Sequence, residues 1–234
     1  MRLHKIFLGL FYACFVFSPV QAAEEVDPDW ANIKAYSIDN AKWVNVANSG
    51  NRIVFMGDSI TEFWSTTTPE QFSGKPYINR GISGQTAPQM LVRFRSDVIE
   101  LAPKQVIILA GTNDIAGNSG PESNEVIAGY IASMAELARL HHIDVVLCSI
   151  LPAKSYYWIP EIKPVERIAA LNKWIKEYAH QNNFVYVDYY TPMADENQGL
   201  KLAYSEDGVH PNKAGYAVMI KLLEKALITE SLSK

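Results

Sequence analysis

The sequence predicts an α/β protein, a three-layer α/β/α sandwich built on about five parallel strands. Two observations carry this. Short apolar runs alternate with helical periodicity along almost the whole chain, the order expected when parallel strands are joined by crossover helices. Three of the runs are nearly continuous Val, Ile and Leu, which suits strands covered on both faces. The 234 residues, 48% hydrophobic and 20% charged, fit one ordinary globular domain with a core of its own.

The chain opens on a segment that reads as an address. Arg2 and Lys5 precede an apolar run over 6–17, and small residues follow around Val20, Gln21 and Ala22. This is the pattern of a secretory signal peptide, so residues 1–22 are expected to be cleaved, leaving 23–234 as a single exported domain, periplasmic or secreted. The run is short for a bilayer span, so no stable membrane anchor is expected after cleavage; an uncleaved anchor or a core helix is the alternative. Cys14 sits inside the run, which argues against lipid modification.

Losing Arg2 and Lys5 takes the formal charge from −4 to −6. No basic cluster remains, which excludes nucleic acid and anionic membrane surfaces as partners of choice. Cys148 is then the one cysteine left, so no internal disulfide can form.

A leading helix is expected within 24–51, burying Trp30, Ile33, Tyr36, Trp43 and Val44 against the sheet edge. Strands are expected at 53–56, 77–82, 106–110, 145–150 and 184–187. A helical pattern covers 87–101. A clearer one covers 121–140, with Val126, Ile127, Tyr130, Ile131, Met134 and Leu137 on one stripe and Ser119 and Pro121 as cap and first turn. Val165, Ile168, Leu171, Ile175 and Tyr178 mark another helix, and 211–227 closes the chain.

Sites in open α/β sheets form at the carboxyl ends of the strands. Polar clusters fall there in "GDSIT" (57–61), "NRGISGQT" (79–86), "GTND" (111–114) and "DGVH" (207–210). Ser59 has two readings. With Glu62 three residues on it matches a capping box; at a helix start it is also a nucleophile placed beside donors that favour negative charge. A serine hydroxyl needs a base. His4 leaves with the signal, and His141, His142 and His180 precede strands, at the opposite edge. Only His210 remains. Asp207, three residues earlier across a turn at Gly208, can orient its ring. Acyl transfer also needs oxyanion donors, and the Ser59 N–H, the Gly84 N–H and the Asn113 side chain can supply them, although each is also an ordinary turn residue. The Gly-x-Ser-x-Gly elbow is absent.

The residues Gly57-Asp58-Ser59-Ile60-Thr61, Gly84, Gly111-Thr112-Asn113-Asp114 and Asp207-Gly208-Val209-His210 resemble, in order, the four blocks of the SGNH (GDSL-type) esterase and acylhydrolase superfamily. The resemblance spans almost the whole mature chain. It implies a flavodoxin-like sheet, Ser59 as nucleophile, His210 as base, Asp207 as its orienter, and Ser59 N–H, Gly84 N–H and Asn113 as the oxyanion hole. Asp58 belongs to the motif with a local structural role.

Cys148 and Asp188 end strands at the same edge but read as a small core residue and a structural carboxylate. No metal-ligand spacing, P-loop or Gly-x-Gly-x-x-Gly is present, so no cofactor or metal is expected. The stretch 151–162 follows the fourth strand, and Tyr156, Tyr157 and Trp158 either bind substrate or form a satellite hydrophobic cluster; the loop 65–72 could line the other side. The sequence is similar to family branches that contain carbohydrate O-acetylesterases and acetylhydrolases of platelet-activating-factor type. The expected activity is therefore hydrolysis of short-chain, acetyl esters on a saccharide or related small molecule. A lysophospholipase, arylesterase or thioesterase on the same triad is one alternative, and an inactive scaffold serving as a carbohydrate-binding module is another. The sequence leaves the oligomeric state open.

Overall fold

The computed structural model describes residues 29–48 and 50–233. The expected signal segment lies outside the described residues. The strands are β1 (Ile53–Gly57), β2 (Tyr77–Gly81), β3 (Gln105–Leu109), β4 (Asp144–Cys148) and β5 (Val185–Val187). They form one sheet in the order β2-β1-β3-β4-β5, and every neighbouring pair is parallel. This is the flavodoxin-like strand order, in which the order of strand addition reverses between β1 and β3.

The helices are α1 (Ser37–Asn45), α2 (Ser59–Thr67), α3 (Ala87–Asp97), α4 (Thr112–Ala116), α5 (Asn124–Leu140), α6 (Val165–Gln181), α7 (Tyr190–Met193) and α8 (Lys213–Ser233). Strand side chains alternate between two cores. Val54, Met56, Val106, Ile108, Val145 and Leu147 meet α3, α5 and α6 on one face. Phe55, Ile107, Leu109, Val146 and Cys148 meet α2 and α8 on the other. Burying one such aliphatic or Phe side chain stabilises the fold by roughly 1.5–3 kcal/mol, so a sheet filled on both faces needs no disulfide.

Local chemistry moved several boundaries. The expected cap at Ser119 and first turn at Pro121 is displaced: α5 starts at Asn124, and its cap is Ser123, which accepts the Val126 N–H. Ser119 Oγ instead pairs with Thr86 Oγ1 at 2.7 Å. The pattern over 87–101 splits into α3 and a 3₁₀ turn at Ile99–Leu101, because Val98 leaves the helical region at φ −128° and ψ −63°; Ala102, at a left-handed φ of 45°, then ends the turn. The last helix starts at Lys213, where Asn212 Oδ1 accepts the N–H groups of Ala214 and Gly215. The leading segment buries less than expected: Trp30 and Ile33, which precede α1, and Val44 within it are exposed, while Trp43 packs on the core and the Tyr36 hydroxyl donates to the Gly81 carbonyl.

Candidate active site

The reversal between β1 and β3 opens a crevice at their carboxyl ends, where such sheets bind ligands. A cavity of about 440 Å³ lies there. The structure places Ser59, Gly84, Asn113, Tyr157, Trp158, Asp207 and His210 on its wall.

Ser59 is the first residue of α2, not its cap. The cap is Asp58, whose Oδ1 accepts the Ile60 N–H at 2.9 Å. Glu62, the partner expected to close a capping box, turns to the next loop and accepts from Ser83 N and Oγ at 2.6 and 2.5 Å. With the capping done by Asp58, the Ser59 hydroxyl is available to His210, and Oγ lies 2.9 Å from His210 Nε2.

His210 comes from the far end of the chain, and two contacts seat it. α8 packs on α2 through Tyr216 stacked on Trp64 at 5.4 Å between ring centres, and Tyr216 Oη donates to the Ile60 carbonyl at 2.8 Å. The turn before α8 is tied by Asp207. Its Oδ1 accepts the N–H groups of Val209 and His210 at 2.9 and 2.8 Å, and its Oδ2 lies 2.7 Å from His210 Nδ1. Burial alone would raise the Asp207 carboxyl. The hydrogen bond from the His210 ring, the two backbone N–H groups and the nearby imidazole charge outweigh it and hold the group down at about 2. A carboxylate can only accept, so Nδ1 carries the ring proton and Nε2 is left to accept from the serine hydroxyl.

Gly84 has φ +77° and open space where a Cβ would stand, so it needs glycine for its backbone. Gly81 needs it for room: a Cβ there would lie 2.1 Å from the Glu62 nitrogen. Asn113 Nδ2 donates to the Gln85 carbonyl at 3.0 Å and lies 3.4 Å from Asp58 Oδ2. Behind these loops the buried Arg93 donates to the Gly57 carbonyl and to Gln85 Oε1, with Asp97 as its counter-charge. Asp58 and Asp114 flank this region. Burial, reinforced by the charge of Asp114, raises Asp58 to about 7, and burial, reinforced by the charge of Glu122, raises Asp114 to about 6.

Tyr156 is a correction. It is fully buried in the core, stacked beneath Trp158 at 5.0 Å, and does not reach the cavity. Three consecutive aromatics in a loop carry no period that says which one turns inward. Phe63, Ser83 and Asn118 line the cavity and were not expected. Phe63 could have been found, since it stands four residues after Ser59 on the same helix and so shares its face. Cys148 is buried and its thiol is pushed up to about 12 by that burial, which makes it inert. Asp188 Oδ1 accepts the Thr191 N–H at the start of α7, a structural role. Among the described residues no His, Cys, Asp and Glu group is arranged to hold a metal.

The chain belongs to the GDSL-like lipase/acylhydrolase family, whose model matches residues 55–218, from β1 into α8. A GDSL-like lipase from Bacteroides thetaiotaomicron superposes with a TM-score of 0.83 at 46% identity, over 86% of this chain and 99% of that one. An acetylxylan esterase from Geobacillus stearothermophilus is 26% identical over 205 residues, 74% of this chain and 92% of its own. The structure of an acetyl xylan esterase, AlAXEase, gives a TM-score of 0.62 at 19% identity over 75% of this chain and 98% of that one, a likeness of fold. The family makes the protein a carboxylic ester hydrolase acting on small-molecule esters.

Proposed function

We propose that the protein is an exported serine esterase that removes short acyl groups, acetyl above all, from a carbohydrate. The observation that carries the mechanism is the unbroken line Ser59 Oγ, His210 Nε2, His210 Nδ1, Asp207 Oδ2, with links of 2.9 and 2.7 Å, on the wall of the crevice at the fold's switch point.

In this reading Ser59 attacks the ester carbonyl while His210 takes its proton, and the alkoxide leaves with that proton. The negative charge that forms on the carbonyl oxygen meets the N–H groups of Ser59 and Gly84 and the Asn113 amide. Water then attacks the acyl-serine with His210 as base again, releasing the acid and regenerating the serine. Asp207 stays ionised throughout and holds the imidazole.

Two features support a neutral saccharide ester. Among the described residues, the side chains lining the crevice include no lysine or arginine, which favours a neutral ester over one carrying a phosphate headgroup. Tyr157 and Trp158 stand at the rim, 64% and 37% exposed, with Phe63 across from them near His210; such rings can stack on a pyranose. The acetylxylan esterase relative supports the acetyl assignment. The sequence pattern of residues 1–22 supports export, and no described helix is long and apolar enough to cross a membrane. Acetate release from acetylated xylo-oligosaccharides, set beside 4-nitrophenyl esters of rising chain length, tests this. Falling rates with chain length and release from the sugar are expected; a preference for long chains overturns the acetyl reading. No cleavage of any activated ester would favour a saccharide-binding module instead.

A further inference from the structure

We propose that Asn118 is a positioning residue for the oxyanion site and ties that site to the aromatic rim. The proposal rests on the reading of Gly84 and Asn113 as oxyanion donors. Asn118 lies in the turn between α4 and α5, exposed at the mouth of the crevice. Its Nδ2 donates to Asn113 Oδ1 at 3.0 Å and to the Gly84 carbonyl at 3.2 Å, and its Oδ1 accepts the Trp158 indole N–H at 3.2 Å. One exposed amide thus joins three elements of the site.

Each of these bonds has a consequence. An asparagine amide has a donor end and an acceptor end, and only its partners fix which way it faces. For Asn113 those partners are of opposite kind: Asn118 presents hydrogens to Oδ1, and the Gln85 carbonyl accepts from Nδ2 at 3.0 Å. Turned over, Asn113 would set oxygen against oxygen and NH₂ against NH₂. Gly84, at φ +77°, has no side chain of its own to anchor it, so the bond to its carbonyl helps to hold that backbone. The bond from Trp158 makes the rim part of the same unit. An occupant that stacks on Trp158 therefore steadies, through Asn118, the groups that meet the developing charge. Small displacements of such groups cost far more in rate than in stability.

The test is steady-state kinetics of the full chain on 4-nitrophenyl acetate, with melting temperatures, for Asn118→Ala, Asn118→Asp, Trp158→Phe and the double variant Asn118→Ala/Trp158→Phe. Asn118→Ala is expected to lower kcat about tenfold or more with KM little changed and the melting temperature held. Asn118→Asp keeps the acceptor for Trp158 but sets a carboxylate oxygen against two oxygens, and is expected to lose at least as much. Trp158→Phe, which keeps a ring and removes the N–H, is expected to lower kcat a few-fold alone and not at all in the Asn118→Ala background. An Asn118→Ala kcat within about twofold of wild type, effects that simply multiply, or a loss explained by unfolding of both Asn118 variants overturns the proposal. Ser59→Ala, run alongside, separates the failures. If it is inactive while Asn118→Ala is fully active, the esterase reading stands and this inference falls; if it is as active as wild type, both fall.

Discussion

Asp207 and His210 share one turn of chain, and the same carboxylate that faces the imidazole at 2.7 Å also accepts two backbone N–H groups of that turn. Orientation of the imidazole and closure of the turn are one device. Asp207→Asn keeps a side chain able to accept in the turn but removes the charge and puts a donor where the ring proton points. We expect kcat to fall by about 10²-fold or more with KM little changed. Because the carboxyl sits below its ordinary value, its stabilising contribution is complete above about pH 4 and is lost as the pH falls toward 2. Asp207 therefore adds its full contribution to stability at every pH above about 4; melting temperatures of wild type and Asp207→Asn are expected to differ by a constant amount there and to converge as the pH falls toward 2.

Asp58 works in the opposite sense. Burial raises its carboxyl to about 7, so the folded state binds a proton that the unfolded chain has released. Its contribution to stability is complete below about pH 4 and declines as the pH rises through about 7. Asp58→Asn retains the cap on Ile60, since asparagine caps as well as aspartate, and removes the titration. The melting temperature of the variant is expected to fall less than that of wild type between pH 4 and pH 8. The difference should be on the order of a few kcal/mol in stability at the upper end.

Two glycines only three residues apart are expected to respond differently. Gly81→Ala drives a Cβ onto the backbone of Glu62 at 2.1 Å and forces α2 away from β2; a loss of several kcal/mol, seen as poor soluble yield and a collapsed urea midpoint, is expected. Gly84→Ala meets no atom and bears only the strain of its positive φ, about 1–2 kcal/mol. Its kcat should fall by more than its stability does. Urea unfolding and initial rates on the same preparations separate the two.

Cys148 stands at the correct sheet edge for chemistry, yet its thiol is buried and held at about 12. Iodoacetamide at neutral pH is expected to leave the folded enzyme fully active and unlabelled by intact mass. Inactivation that tracks labelling of Cys148 would reject this.

The strands were legible because their apolar runs are short, branched and nearly unbroken, as in Ile107–Leu109 and Val145–Leu147, and the parallel order followed from the helices between them. The same topology sorted the histidines: His141, His142 and His180 precede strands, so the elimination in favour of His210 needed no contact information. What stayed hidden was decided by single dihedrals or by long-range packing. Asp58 and Ser59 are both good caps, and only the backbone shows that α2 begins at Ser59. Ser119 and Ser123 posed the same ambiguity at α5. Tyr156 and Tyr157 are neighbours of one chemical type, yet one is core and the other is rim. Asn118 carries no clear local signal, because two of its three partners, Gly84 and Trp158, come from loops 34 and 40 residues away in the chain.

The central claim is that Ser59 is the nucleophile and that His210 activates it. The most direct measurement is covalent labelling with a fluorophosphonate, followed by peptide mapping by mass spectrometry. The account predicts stoichiometric loss of esterase activity with one adduct on Ser59, and labelling slowed by orders of magnitude in His210→Ala, which keeps the wild-type melting temperature. An adduct on another residue, or full ester hydrolysis persisting in Ser59→Ala, would contradict it.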